Sequence, residues 1–357
     1  MKVGFILLSS PEHPIPSTRV AALNMFPLLR ERGAQCEVVF APSAPAEQPE
    51  IPLQAKDMAE QGFDVICFQK VHGPSAVALA KALRALGVGT VFLVCDVVDA
   101  EMCAATDITV TVTEFLRGLY PAELRHKVRV AHDGIEKPEA VVRSHAANSV
   151  RLEAALVTSA HMTELPVLGL PPSWLRVSII GPYPRSRRAR LQQDWWSLRQ
   201  RQGWRSKLAF LRFLLSPRIR RVTWTAQGVY SALADAQVGI IPILADGTPQ
   251  SEHDEIPAWM RKSENRLTLK MSMGLPVVAT PIPAYEPVLR SGINGYFARS
   301  RAEWLSALAE LRLPERRASM GRQAREDVSS RFSMVAQCDL LLDALRAASS
   351  AARACRA

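Results

Sequence analysis

The 357 residues hold six cysteines, and no two of them form a C-x-x-C pair or stand beside a histidine cluster. Zinc and iron–sulfur sites need such ligand spacing, so none is expected. Cys36, Cys67, Cys95, Cys103, Cys338 and Cys355 read instead as reduced thiols, with Cys67 and Cys95 as small core residues in strands. No apolar run approaches the roughly 18 residues of a bilayer-spanning helix. The N-terminal run Val3–Leu8 is short and lacks a small-residue cleavage site, so it reads as a buried first strand, not a signal peptide. A soluble cytoplasmic protein, or one attached to the inner membrane face, is expected. The chain has no internal repeat, and acids are nearly missing from residues 185–221, where only Asp194 occurs.

Hydrophobic residues make up 48% and charged residues 22%, enough apolar content for two ordinary domains to bury cores. Strand and helix signals alternate. Val3–Leu8, Cys36–Phe40, Asp64–Phe68, Thr90–Cys95, Ile108–Val112 and Lys127–Ala131 read as strands. Ser17–Arg32 and Ser75–Leu86 read as helices closed by Gly33 and Gly87, and the Pro-rich stretch 42–52 as a loop. After a turn at Asp133-Gly134 a second series follows: strands at Leu152–Thr158, Leu175–Ile180, Arg221–Thr225, Val238–Ile243 and Leu275–Ala279, and helices from about Ser263, at Trp304–Leu311 and at Met334–Ala348. This rhythm predicts an α/β chain of two doubly wound parallel-sheet domains, 1–145 and 146–330, with a C-terminal helix in 331–357. Ligands of such sheets bind outside the carboxyl ends of the strands, and two domains facing each other would form a cleft there.

The stretch Lys262-Ser263-Glu264-Asn265-Arg266 sets two cations at the start of a helix whose dipole already carries partial positive charge. An anion opposite them resolves the conflict: free N–H groups, Lys262, Arg266 and, one turn on, Lys270 suit a phosphate, with Ser263 and Asn265 to orient it. The competing reading is a solvated basic helix start with Glu264 as cap.

Ser263-x-Asn265-Arg266-Leu267, then Met273-Gly274-Leu275-Pro276-Val277-Val278-Ala279-Thr280, Glu286 and Gly292-x-Asn294-Gly295 resemble the nucleotide-sugar segment of GT-B glycosyltransferases, family 4 ("group 1") in particular. Ser17-x-Arg19, Phe68-Gln69-Lys70, Cys95-Asp96, Asp133-Gly134-Ile135 and Val238-Gly239-Ile240-Ile241-Pro242 agree in order, so the resemblance covers nearly the whole chain. It implies two Rossmann-like domains, a donor held by the second, an acceptor held by the first, no obligatory metal, no cofactor beyond the nucleotide diphosphate sugar itself, and retention of anomeric configuration. It adds Thr280 and Glu286 to the donor residues. Two glutamates that many members carry are replaced by Arg261 and Leu269, and Asp246, Glu252, Asp254 and Glu255 are the nearby substitutes. A nucleotide-sugar epimerase or hydrolase of the same fold, and a non-catalytic binder of anionic surfaces, are the alternatives.

Residues 185–221 hold twelve Lys or Arg and one acid, a local +11 against +10 for the whole chain, so the basicity is local. Arg187, Arg188, Arg201, Arg205 and Lys207 interleave with Trp195, Trp196 and Trp204. Cations beside Trp describe a helical hairpin on an anionic membrane surface, and hence a lipid-linked or surface-polysaccharide acceptor. Single-stranded nucleic acid is less expected, since no binding module surrounds the segment. Plain packing with arginines in solvent is the bland alternative.

On the first domain, Ser17, Arg19, Lys70 and Gly73 follow strands and are expected at the acceptor. His72, with a side chain suited to proton transfer, and Asp96 are the catalytic candidates. Asp133 reads as a turn former, and the other histidines as surface.

Overall fold

Residues 1–143, 151–244 and 256–354 are described by the computed structural model. Asp246, Glu252, Asp254, Glu255 and Cys355 lie outside them. The chain divides into two compact units, the first built from residues 1–136, 256–265 and 331–354, the second from 137–143, 151–244 and 266–330.

In the first unit the strands are β1 (Lys2–Leu7), β2 (Gln35–Phe40), β3 (Val65–Gln69), β4 (Gly89–Leu93), β5 (Ile108–Thr111) and β6 (Val128–Val130). They form one parallel sheet in the order β2-β1-β3-β4-β5-β6. β3 and β4 are buried along their whole length, as expected of parallel strands covered on both faces. The expected single helix over 17–32 is instead two short helices, Pro16–Ala21 and Phe26–Glu31, joined by a 3₁₀ turn. Pro27 lacks an N–H and fits the first turn of a restarted helix better than the middle of a long one. The final helix, Met334–Ala354, covers one face of this sheet through Cys338, Leu341, Leu342, Ala344, Leu345 and Ala348. Gly89 permits the approach: a Cβ there would lie 2.7 Å from the Ala348 backbone.

The second unit holds β7 (Leu152–Val157), β8 (Leu175–Gly181), β9 (Ile219–Thr223), β10 (Val238–Ile241), β11 (Val277–Ala279) and β12 (Gly295–Phe297). Its parallel order is β12-β11-β10-β7-β8-β9, and the direction of winding reverses between β7 and β10. In the first sheet the reversal falls between β1 and β3. Such reversals mark where loops diverge and leave room for ligands. β12, three residues long, and the helix Pro314–Ser329 have no counterpart in the sequence expectation.

Candidate functional site

At the reversal point of the first sheet a buried polar chain fixes the loops. Thr18 Oγ1 donates to Gln69 Oε1 (2.9 Å) and accepts from Ser9 Oγ (3.0 Å). Gln69 Oε1 also accepts from the Leu8 N–H, and Ser9 Oγ from the Ile15 N–H. Ser17 stands beside this chain on the helix Pro16–Ala21, half-buried. Arg19 makes a two-pronged ion pair with Glu136, at 2.8 and 3.0 Å, which Asn24 joins.

Beyond β3 the backbone turns sharply. Lys70 adopts φ +57, a left-handed conformation uncommon outside glycine, and its N–H is held by the Leu93 carbonyl at 2.8 Å. Gly73 supplies a second positive φ, +84. Lys70 Nζ bridges Glu47 (2.7 Å) and Asp96 (2.8 Å), and Lys262 Nζ lies 3.3 Å from the other oxygen of Asp96. Burial pushes Asp96 up, but the two lysines outweigh it and hold the carboxyl below its usual range.

His72 donates from Nδ1 to Asp99 at 2.8 Å, and its Nε2 lies 3.8 Å from Glu47. Asp99, then Glu47, raise the imidazole to about 9, while the nearby His72 cation, then Lys70, lower Glu47 to about 2. At neutral pH this histidine is therefore a cation tying two loops together, a charge state that the sequence alone did not reveal.

Asp133 departs further from expectation. It is no simple turn residue: its carboxyl is buried, and burial, then the charge of Glu264, raise it to about 7 against the Ser263 hydroxyl that hydrogen-bonds to it. Glu264 is itself buried and pairs with His132 Nδ1 at 2.8 Å, so His132 also has a setting that the sequence did not reveal. Glu47, Asp99 and Glu264 were missed as site residues. D-x-x-D over 96–99, just past a strand, was a readable signal for Asp99; Glu47 sits in a Pro-rich loop and gave none.

The helix Asn265–Ser272 opens directly after Ser263 and Glu264, enters the second unit at Arg266 and closes at Gly274, φ +84, where the Leu275 N–H bonds the Lys270 carbonyl. Arg266 reaches Ser159 Oγ at 3.2 Å. Ser159 is exposed just past the carboxyl end of β7, at the winding reversal. Thr280, at the end of β11, bonds both the N–H and the carbonyl of Ile243 and so clasps the segment after β10. Glu286 is exposed in the turn after β11. Lys270 is not on the exposed face beside Arg266. It is fully buried, its Nζ donating to the Arg266 carbonyl at 2.9 Å.

The basic segment folds as two helices, Arg187–Gln200 and Trp204–Leu215, linked through Gly203 at φ +75. Phe210 and Phe213 turn inward, while Arg221 clamps buried Asp194 at 2.5 and 2.8 Å. Arg201, expected at the surface, is half-buried over the Phe210 ring and bonds Ser206 and Thr163. Arg187, Arg188, Arg205 and Lys207 are exposed, as are Trp195 (62%) and Trp196 (64%). Trp204 (69%), Leu208 (37%), Leu211 (38%) and Leu215 (80%) recur at helical spacing, so this helix carries an apolar stripe directed away from its own core. Among the described residues no helix is long and apolar enough to cross a membrane, and no cluster of three potential metal ligands occurs.

No protein-family model and no curated protein matches the sequence. Solved structures do. A glycosyltransferase from Rickettsia africae superposes with a TM-score of 0.66 at 11% identity, covering 97% of this chain and 98% of that one. Anabaena Alr3699/HepE in complex with UDP gives 0.63 at 14%, over 97% and 100%. The lipopolysaccharide outer core galactosyltransferase WaaB gives 0.63 at 12%, over 97% and 99%. At such identity the likeness speaks for the fold: the chain has the GT-B architecture of two parallel-sheet α/β domains.

Proposed function

We propose that this protein is a metal-independent glycosyltransferase moving a sugar from a nucleotide diphosphate sugar to a hydroxyl acceptor, with retention of configuration. The observation that carries the reading is Arg266, on the first turn of a helix at the winding reversal of the second sheet, directed to Ser159 just beyond β7. Helix N–H groups and a guanidinium at a reversal point are suited to a diphosphate. As the sugar–oxygen bond breaks, the leaving diphosphate gains charge, and fixed donors stabilise it without reorganising. Lys262, Ser263 and Asn265 extend this donor set, with Thr280 positioning the neighbouring loop and Glu286 at the nucleotide.

Acceptor hydroxyls are assigned to the first unit, at Ser17, Arg19, Lys70 and Gly73. Asp96 and His72 are ionised and paired, so they suit holding a hydroxyl better than taking its proton. In a same-face displacement the leaving diphosphate oxygen can receive that proton, which fits a retaining transfer.

The acceptor is proposed to be a lipid-linked or surface-polysaccharide intermediate at the inner membrane face. The apolar stripe Trp204–Leu215, flanked by exposed Arg205, Lys207 and Arg212, supports this reading. Each cation near an anionic surface contributes about 1 kcal/mol.

The test is a thermal-shift series with UDP-glucose, GDP-mannose and dTDP-glucose. A donor at a hundred times its dissociation constant adds about 2.7 kcal/mol of stability. Stabilisation by one of them, lost in Arg266→Ala, is expected. A flat response to all three removes the enzyme reading.

A further inference from the structure

Lys270 is a buried amine with no counter-ion among the described residues. Its side chain is fully enclosed, and among the described residues no carboxylate pairs with it. Its stem lies on Gly239 of β10, so closely that a Cβ at that glycine would stand 2.5 Å from Lys270 Cδ. From there the chain runs toward the N-terminal end of its own helix, where Nζ meets the Arg266 carbonyl. Arg266 is the titratable group whose charge acts on it; Gly239, on the strand beneath, brings none. A buried ammonium with only a carbonyl partner is costly, so the amine favours its neutral form. Burial, then Arg266, lower it to about 7.

We infer that Lys270 takes up a proton from solvent when the donor diphosphate binds one turn above it, the diphosphate serving as its missing counter-charge. This rests on the donor assignment above. The neutral amine lets the empty site exist without a stranded charge; the bound anion makes the charged form the stable one. The proton adds a cation beneath the leaving group without one having to be exposed. Lys270 is thus a positioning residue whose charge state follows occupancy.

Calorimetric titration with UDP-glucose, GDP-mannose and dTDP-glucose tests it, since their doubly esterified diphosphates do not titrate near neutral pH. Each run is repeated in buffers of different ionisation enthalpy, which reads protons exchanged. Close to one proton taken up per donor at pH 8, and almost none at pH 6, where the amine is already charged, is expected. Affinity should correspondingly weaken above pH 7, by up to about tenfold per pH unit. Lys270→Met, which keeps the stem, should bind without uptake and with a flat pH profile. Binding without proton uptake in the natural protein overturns the inference and spares the donor site; so does uptake that persists in K270M. If K270M fails to fold, Lys270→Leu repeats the comparison, with Asp133→Asn as the control, because Asp133 also titrates near 7 beside Ser263; uptake lost in Asp133→Asn overturns the inference. Failure of all three nucleotide sugars to bind removes the donor assignment and this inference with it.

Discussion

A carboxyl group enclosed beside a second carboxylate holds its proton, and Asp133 next to Glu264 is such a group. Its folded value, about 7, lies above the ordinary 3.8, so the folded state binds the proton more tightly than the unfolded chain. The stability it lends is complete below about pH 4 and lost as pH rises through 7. Asp133→Asn should therefore flatten the decline between pH 4 and 7 and raise the urea midpoint at pH 8; an unchanged pH slope would contradict the burial argument. His72 behaves in the same sense at higher pH. Raised to about 9 by Asp99 and Glu47, it stabilises fully below about 6.5 and ceases to do so through 9. His72→Gln should remove that alkaline transition in a melting-temperature scan. Neither residue was legible as it stands in the fold: Asp133 meets partners about 130 positions away, and no local pattern encodes such an encounter.

Elements were more legible than their charges. The helix at Asn265 and its stop at Gly274 follow from the N-terminal polar run and the Gly-Leu-Pro turn. The hairpin in the basic segment was readable too, from cations interleaved with Trp residues. What stayed hidden was which face each element buries. Lys270 looked like a surface cation because its accommodation depends on Gly239, a residue of the strand β10 beneath its helix. A methyl group at Gly239 collides with the lysine stem, and overpacking of this kind costs about 1–3 kcal/mol. Gly239→Ala should lower stability by that amount, and pairing it with Lys270→Ala should recover part of the loss, as a double-mutant cycle in chemical denaturation would register. For the hairpin, Trp204→Ala with Leu215→Ala should reduce sedimentation with phosphatidylglycerol vesicles several-fold and leave the melting temperature unchanged, since both side chains face outward. Equal binding to phosphatidylcholine vesicles would count against an anionic surface.

For the molecule as a whole, alternation of apolar runs with amphipathic stretches announced two parallel sheets, and the strand order followed the doubly wound pattern. Short strands such as β12 escaped notice because three residues leave no period to detect. The longest helix, Met334–Ala354, was foreseen, but not that it completes the hydrophobic core beneath β1, β3 and β4. Gly89→Val should push that helix off the sheet and lower the melting temperature by several degrees, since the collision is with main chain that has no rotamer to change.

That arrangement has a consequence for the newborn chain. About 200 residues separate β6 from the helix that seals its sheet. At roughly 5–20 residues per second, the ribosome leaves this apolar face uncovered for on the order of 10–40 s. Throughout that interval the nascent polypeptide exposes a sticky surface to the cell, and chaperones that greet emerging chains have a natural client.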